Sequence, residues 1–284
     1  MENLFGILLR QWRGARNVSQ LDLALRAACS QRHVSFVESA RTRPSREMVL
    51  KLAEALDVPL RARNELLLAA GYAPLYRETP LRAAEMEAVH KALERMLGHH
   101  EPYPAMVLNS AWNIVMSNRA TQRLIARCVS KLPVGELNLL KLMCAPDGLR
   151  PLIRSWTRTG PALLARLRRE AAQYPDSPSK LLLGELSSAL PAFTEPADAP
   201  LEVVIPLDLE VNGVSLRLFN TLTMLGTPQD ITLQELRIEM SFPADAETDR
   251  VLCEWAGATK RADAISPPGK ASALFNRPRS NLNY

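Results

Sequence analysis

The sequence has few aromatic residues, four scattered cysteines and no long apolar run. Aromatic residues make up 5% of its 284 residues. No apolar stretch approaches the roughly 18 residues needed to cross a bilayer, and polar and basic residues follow closely after Met1, so we expect neither membrane insertion nor secretion. The cysteines lack a CxxC pair, which argues against a zinc site and a disulfide framework. We therefore expect a cytoplasmic protein with reduced thiols at Cys29, Cys128, Cys144 and Cys253.

Motifs of common enzyme sites are also scarce. The glycines stand singly, so the sequence has no glycine-rich phosphate loop. His99, His100 and Glu101 are adjacent, so their side chains diverge, and no third metal ligand has suitable spacing. Ser177 and Lys180 match a bare serine–lysine pattern without its companion motifs. We predict no catalytic residues, no metal, no cofactor and no enzymatic activity. Two carboxylate pairs are interpreted as surface charge: Glu235 with Glu239 on a strand, and Asp245 with Asp249.

The composition is that of a soluble folded protein, and its positive charge is concentrated at the two ends. Hydrophobic residues make up 47% and charged residues 23% of the chain, and the length favours two domains. Residues 1–76 carry 11 Lys and Arg against 7 Asp and Glu, the middle carries 19 against 22, and residues 257–284 carry 5 against 1. Within residues 10–46, eight arginines accompany only Asp22 and Glu38. This excess indicates a phosphate-binding surface, with a solvated basic helix face as the alternative.

The first 70 residues have the pattern of five short helices with capping residues. An apolar stripe at helical spacing defines the first helix. Ser19, Ser30 and Ser45 each precede a new helical pattern, where a serine hydroxyl can accept from the free amides of the first turn. Pro59 begins the fifth helix and Gly71 ends it. The sequence therefore predicts a five-helix bundle.

The second and third predicted helices form a helix-turn-helix arrangement. A recognition helix enters the major groove by its N-terminal end, so its first turns need polar side chains that reach base edges. Gln31 and Arg32 fit this role, because Gln pairs with adenine and Arg with guanine. His33 either reads a base or stays in solvent, and packing is favoured over a thymine-methyl contact for Phe36. The other predicted DNA contacts are Gln20, Ser30, Ser35, Arg41, Arg43 and Arg46, the loop arginines contacting phosphates.

A resemblance to a known family rests on one long ordered string. The chain is similar to the Cro-type (XRE) helix-turn-helix repressors over SQLDLALRAACSQRHVSFVESARTRPSREMVLKLAEALDVPLRARNELLLAAGYAP. The resemblance implies a transcription regulator that binds double-stranded DNA. Ala40 departs from the pattern, because the family usually has glycine after the recognition helix. If this residue is left-handed, alanine costs on the order of 1 kcal/mol.

The second half of the chain predicts a mixed α+β domain over residues 99–256, joined to residues 1–76 by a linker helix at 77–98. Residues 257–284 are predicted to be a flexible basic tail. The predicted elements of the domain are strands at 105–109, 112–117, 201–211, 214–225 and 236–242, a helix after residue 117, helices within 136–192 broken at positions such as Gly160 and Pro161, a proline-rich linker at 191–200, and a helix at 246–255.

A hairpin is the clearest strand signal. Asn212-Gly213 is a favoured two-residue hairpin turn, because both positions tolerate positive φ. The turn fixes the register of the flanking strands. It pairs Val211 with Val214, Leu209 with Leu216 and Leu207 with Leu218 on one face, and Asp208 with Arg217 on the other.

This half of the chain also resembles a known family. The strings EPYPAMVLNSAWNIVMSNRAT, NLLKLMCAPDGLRPLIRSW and LGTPQDITLQELRIEMSFPADAETDRVL are similar to the ligand-binding domain of MmyB-like transcription regulators, a PAS-like module. The resemblance implies a homodimer that senses a small apolar or amphiphilic ligand such as a fatty acid, and a dimer would read an inverted-repeat operator. The alternative is a dimerisation or protein-docking module without ligand. Pocket candidates, which are equally consistent with a core role, are Tyr103, Trp112, Met116 and Asn118.

Overall fold

A computed structural model describes residues 4–131, 135–173, 178–189, 207–226 and 228–257. The N-terminal part is a bundle of five helices, which we call the head. Its buried core combines residues from all five, among them Leu9, Leu23, Val34, Leu52 and Leu66. The helices are α1 (Leu4–Ala15), α2 (Gln20–Arg26), α3 (Gln31–Glu38), α4 (Arg46–Ala55) and α5 (Leu60–Ala69).

Serine caps set the starts of three head helices. The hydroxyl of Ser19 accepts from the Asp22 amide, that of Ser30 from the His33 amide, and that of Ser45 from the Met48 amide. Each bond satisfies an amide that has no partner within its helix. The predicted capping serines are confirmed, and α3 therefore begins at a fixed place beside α2.

Ala40 occupies the left-handed region after α3, with φ at 59°. The turn is closed by a hydrogen bond from the Arg41 amide to the Phe36 carbonyl at 2.8 Å. This is the conformation in which glycine is usual, so alanine adds local backbone strain.

Ala40→Gly is expected to raise the free energy of unfolding of the head by about 0.5–1 kcal/mol. The substitution relieves roughly 1–2 kcal/mol of left-handed strain, part of which is offset because glycine has more freedom in the unfolded chain. Urea denaturation followed by circular dichroism measures the change. Ala55→Gly, in the right-handed end of α4, is the opposite control, with an expected loss of up to about 1 kcal/mol; equal losses for both variants would contradict the strain at Ala40.

The second domain is an antiparallel sheet with helices on both faces. The strands lie in the order β2-β1-β5-β4-β3, and every neighbouring pair is antiparallel. Its elements are α6 (Glu87–His99), β1 (Ala105–Leu108), β2 (Ile114–Ser117), α7 (Arg119–Cys128), α8 (Leu139–Cys144), α9 (Trp156–Gln173), α10 (Pro178–Ala189), β3 (Leu207–Val211), β4 (Val214–Met224), α11 (Ile231–Glu235), β5 (Arg237–Pro243) and α12 (Ala246–Trp255), with 3₁₀ turns at Ala84–Met86 and Arg150–Leu152.

The predicted hairpin is confirmed residue by residue. Asn212 and Gly213 have φ values of 50° and 80°. All four predicted cross-strand pairs are present in the β3–β4 register. The guanidinium of Arg217 lies 3.5 Å from the Asp208 carboxylate on the outward side.

The two faces of the sheet carry separate cores. We call the larger one the inner face, where Leu108, Leu209 and Leu216 pack with α8, α9, α10 and α12. The outer face carries a smaller core, in which Val107 and Ile238 pack against α6. A side chain on β1 or β5 therefore contacts one core or the other, depending on its parity.

Several sequence predictions for residues 77–256 are wrong. The linker helix begins at Glu87 instead of 77, because Thr79 precedes a proline and donates to Asp230 through its amide and hydroxyl. Helix α9 runs through Pro161, which as its sixth residue removes only one helical hydrogen bond. Glu235 ends helix α11 instead of lying on a strand. Glu239 lies on the inner face with 7% of its surface exposed instead of pointing outward.

The head is joined to the second domain through α5 and α11. The amide of Leu60 donates to the Gln234 side chain at 2.7 Å. Arg61 forms an ion pair with Glu235 at 2.7 Å and a second with Glu78. Thr79 also donates through its amide and hydroxyl to Asp230, just before α11, and these hydrogen bonds add to this contact. Helix α11 leads directly into β5, so the contact connects the head to the middle of the sheet.

Several predicted features lie outside the described residues. These are Ser177 of the serine–lysine pattern, the proline-rich linker at 191–200, the strand residues 201–206 and residues 258–284 of the predicted tail.

Candidate nucleic-acid interface and ligand domain

The first turn of α3 presents polar side chains to solvent. Gln31 and Arg32 are exposed, while Val34 and Val37 on the opposite side are buried in the head. The guanidinium carbon of Arg32 lies 5.0 Å from the centre of the Phe36 ring, and that of Arg41 lies 5.6 Å from it. Phe36 therefore holds two arginines on one surface by cation–π contact. Ser30, Gln31, Arg32, Ser35 and Arg41 lie within this helix and its flanks.

His33 and Gln20 have surroundings that the sequence did not indicate. The ring of His33 is half-buried, and its Nε2 atom is buried without a hydrogen-bond partner among the described residues. The side chain of Gln20 donates to the Glu38 carboxylate at 2.7 Å. The side-chain amide therefore links the start of α2 to the end of α3. A phosphate contact from the backbone N–H of Gln20 remains a prediction.

A buried ion pair fixes α3 against α1. Glu38 is 3% exposed and accepts from Arg13 at 2.7 and 3.1 Å in a bidentate arrangement. Burial raises the pKa of Glu38, but hydrogen bonds from Arg13 and Gln20 and the charges of Arg13 and Arg10 outweigh burial and hold that pKa below its usual value. The pair thus orients the helix that carries Gln31 and Arg32.

The two remaining predicted phosphate contacts, Arg43 and Arg46, differ in whether the side chain is held by other residues of the head. Arg43 donates to the carbonyls of Ala70 and Gly71 at 2.8 and 3.0 Å, and its guanidinium lies 4.9 Å from the centre of the Tyr72 ring. Arg46 is exposed at the first position of α4. Arg43 therefore holds the end of α5, whereas Arg46 extends from a helix N-terminus into solvent.

The four predicted pocket residues are divided between the two faces of the sheet, although Asn118 donates to the Tyr103 carbonyl at 2.8 Å. Trp112 is buried in the inner core, while Met116 packs against the outer core on the other face of the sheet. Tyr103 donates to Asp249 at 2.6 Å, and this hydrogen bond raises the pKa of Tyr103. Asn118 caps α7 and donates to two backbone carbonyls, so its position is structural. A ligand role for these residues remains a prediction.

A charged cluster surrounds Trp112, and sequence reasoning missed it. The indole N–H donates to Glu170 at 2.9 Å. Arg166 and Arg237 lie over the indole ring at 4.4 and 5.4 Å and both donate to Glu170. We call Trp112, Arg166, Glu170, Arg237 and Glu239 the tryptophan cluster. Two signals were available in the sequence: Arg166 and Glu170 at helical i,i+4 spacing, and charges at alternate positions of β5 among apolar residues.

The described residues offer neither a metal site nor a membrane-spanning helix. Residues 4–257, apart from the gaps named above, contain no group of three His, Cys, Asp or Glu side chains able to hold a metal ion. Among the helices of the described chain, none has both the length and the apolarity to cross a membrane.

Two family profiles match the chain in the order of the two domains. A helix-turn-helix profile matches residues 9–62. The profile of the MmyB-like transcription regulator ligand binding domain matches residues 89–254, more than half of the chain. The chain belongs to this MmyB-like family. Its two matched regions are a helix-turn-helix and the ligand binding domain of a transcription regulator, and neither matching family is one of enzymes.

Beyond these families the likeness is weak. No curated protein matches this MmyB-like chain. Among solved structures, an RNA-binding light-oxygen-voltage receptor aligns at 12% identity with a TM-score of 0.26. The alignment covers 89% of this chain and 62% of that receptor's chain.

Proposed function

We propose that this protein is a cytoplasmic homodimer that reads an inverted-repeat operator and responds to a small apolar or amphiphilic effector, with a fatty acid as one candidate. The observation that carries the proposal is the first turn of α3. Gln31 and Arg32 are exposed there, and two arginines rest on Phe36. Side chains of this kind on the N-terminal end of a recognition helix match the base edges of the major groove.

A dimer would set two copies of α3 about 34 Å apart, one helical turn of DNA. Gln31, Arg32 and Ser35 face the bases in this proposal, with His33 at the margin. Ser30, the backbone N–H of Gln20, Arg41 and Arg46 bind phosphates, while Arg43 acts mainly by holding the end of α5.

The effector would act through the α5–α11 contact. Arg61 and Leu60 of the head bind Glu235 and Gln234 of α11, and β5 begins two residues after Glu235. A ligand that binds more tightly to one position of β5 than to another favours the arrangement of the heads that goes with the first position. The size of this population shift is set by the difference between the two affinities.

Exposed apolar side chains in the ligand domain favour a second candidate, a docking module without ligand. Leu181, Met224 and Leu222 are 77%, 57% and 44% exposed. Such side chains are suitable for contact with a protein partner. Native mass spectrometry separates the two candidates: a co-purifying small molecule supports sensing, and an empty domain with a stably bound protein partner supports docking.

Selection of bound DNA from a random pool tests the DNA-binding proposal. The full chain is expected to enrich an inverted repeat with half-sites one helical turn apart, and cellular lipid extract is expected to change the yield. Enrichment of unrelated sequences would overturn sequence-specific reading, and a yield insensitive to the extract would count against an apolar effector.

Arg32→Ala is expected to weaken binding to the selected operator by about 1–3 kcal/mol and to relax specificity at one base pair, because a bidentate contact to guanine is lost. Fluorescence anisotropy on operator and random DNA measures both effects.

Arg46→Ala should instead weaken binding to all DNA sequences. It should also lower the slope of log affinity against log salt concentration by about one. Arg95→Ala, an exposed arginine on α6, is the unchanged control. Equal losses for Arg32→Ala on operator and random DNA would exclude base reading.

A further inference from the structure

The ring of Phe36 on α3 lies outside the described core of the head. Val34 and Val37 supply the apolar core side chains of this helix, whereas Phe36 is half-buried. The guanidinium carbons of Arg32 and Arg41 lie over its ring at 5.0 and 5.6 Å from the centre. The ring therefore lies at the surface of the head with two cations over it.

The two cations reach the ring from different parts of the backbone. Arg32 and Phe36 are four residues apart on α3, a spacing that makes their side chains neighbours on the helix surface. Arg41 follows the helix, and the left-handed Ala40 turns the chain back towards it. The Phe36 carbonyl accepts from the amides of Arg41 at 2.8 Å and Thr42 at 3.3 Å. Both the backbone and the ring of Phe36 therefore hold Arg41 beside α3.

No carboxylate competes for these two arginines. Within the part of the chain that the structure describes, the guanidinium groups of Arg32 and Arg41 form no ion pair. The carboxylate of Glu38, on the same helix, is bound by Arg13 and Gln20 instead. DNA can thus bind both arginines without the loss of an ion pair.

A contact with the ring prepares an arginine for binding. Ordering a long, freely rotating arginine side chain on DNA costs conformational entropy, and a contact that already restricts it in the free protein reduces that cost. The face of an aromatic ring attracts a guanidinium, whose N–H donors lie in the plane of the group. These donors remain available to a base or a phosphate.

We propose that Phe36 is a positioning residue for DNA recognition. Its ring holds Arg32 towards the base edges and Arg41 towards a backbone phosphate, so that one side chain places a base contact and a phosphate contact together. Phe36 makes no contact with DNA itself in this proposal. The inference rests on the proposed reading of DNA by α3 and adds the residue that orients its two arginines.

Phe36→Leu and Phe36→Tyr test the proposal in the full chain, with fluorescence anisotropy on the selected operator and on random DNA. Leucine keeps an apolar side chain but removes the ring. We expect it to weaken operator binding about five- to thirtyfold, the equivalent of two exposed cation–π contacts. On random DNA only the phosphate contact of Arg41 suffers, and a loss of about two- to fivefold is expected. Tyrosine keeps the ring and should bind both DNAs within about twofold of the unchanged protein.

A double-mutant cycle separates positioning from a general loss of stability. Phe36→Leu is repeated in the Arg32→Ala/Arg41→Ala background, at low salt so that the weakened variants still bind. If the ring acts through the two arginines, Phe36→Leu should change affinity less than about twofold there. A residue that only stabilises the head would cost the same factor in both backgrounds.

Tyr76→Leu is the matched control. Tyr76 is another half-buried aromatic residue of the head, with the guanidinium carbon of Arg63 over its ring at 5.9 Å. It lies after α5 and outside α3. Its replacement by leucine should leave both DNA affinities unchanged.

Each contrary outcome points to a different failure. Equal losses for Phe36→Leu with and without the two arginines would overturn the positioning role. Relaxed specificity at a base pair that Arg32→Ala leaves intact would also overturn it, because Phe36 would then contact DNA directly. If the full chain selects no operator, the proposed sequence reading fails together with this inference. A selected operator that Phe36→Leu binds as tightly as the unchanged protein would overturn this inference alone.

Discussion

Arg13→Met is expected to lower the free energy of unfolding of the head by about 3–5 kcal/mol, because it leaves the charge of Glu38 buried without its main partner. Glu38 has 1% of its side chain exposed and Arg13 has 19%. The bidentate bond from Arg13 supplies two of the donors that this carboxylate has in the interior. Urea denaturation of the full chain, followed by circular dichroism and by tryptophan fluorescence, measures the loss.

The control for Arg13→Met is the double variant Arg13→Met/Glu38→Leu. Replacing both charges with apolar side chains removes the unpaired buried carboxylate of Glu38, so most of the lost stability should return. Recovery of none of it would mean that Arg13 acts by packing alone. A loss below about 1 kcal/mol in the single variant would place the pair in the range of exposed ion pairs.

The stability that the Arg13–Glu38 ion pair contributes should decrease in acid. Because the folded-state pKa of Glu38 is lowered, its stabilising contribution is complete above the unfolded value of about 4.3 and is lost as the pH falls through the folded value. The stability difference between the unchanged protein and Arg13→Met should therefore narrow below about pH 4. A difference that stays constant from pH 7 to pH 3 would contradict the lowered pKa.

Local signals in the sequence predicted much of the fold. The serine caps depend on a hydroxyl and an amide three residues apart. The hairpin register depends on two turn residues and the alternation next to them. Contacts of this kind form within a few residues of chain, so a single sequence contains the information needed to predict them.

One backbone angle places Trp112 and Met116, two of the predicted pocket residues, on different faces of the sheet. Strict alternation from Trp112 would place Met116 on the same face of the sheet. Trp112 instead has φ at 66°, and the β1–β2 register shifts at Val107 and Leu108. The alternation is therefore broken between the two residues, and their side chains pack in different cores. Positive φ at a tryptophan is rare, so nothing in the sequence pattern indicated it.

Buried charges were missed for a related reason. Glu38 and Arg13 are 25 residues apart, and Trp112 and Glu170 are 58 apart. A charged residue is normally interpreted as surface, and only the tertiary fold shows that a partner neutralises it. The outward orientation predicted for Glu239 failed because β5 lies at the centre of the sheet, where both faces are covered.

Glu170→Ala is expected to lower the free energy of unfolding of the ligand domain by about 3 kcal/mol, near the lower end for a broken buried ion pair. Its carboxylate accepts from Trp112, Arg166 and Arg237. Glu170 and Arg237 keep 14% and 15% exposure and Arg166 keeps 29%, which lets water moderate the loss. Chemical denaturation measures the change, and the tryptophan fluorescence of the folded state should shift because the indole N–H loses its acceptor.

Glu185→Ala is the matched control for this prediction, because Glu185 pairs with Lys141 from a helix in the same domain with 58% of its side chain exposed. An exposed pair contributes at most about 1 kcal/mol. If both variants lose the same amount, Glu170 is only one of many surface carboxylates and the cluster is not a unit. If only Glu170→Ala is strongly destabilised, the Glu170 carboxylate is the group that keeps two half-buried arginines and the indole N–H of Trp112 paired. In that case β5, which carries Arg237 and Glu239 and follows α11, is held in place by this carboxylate.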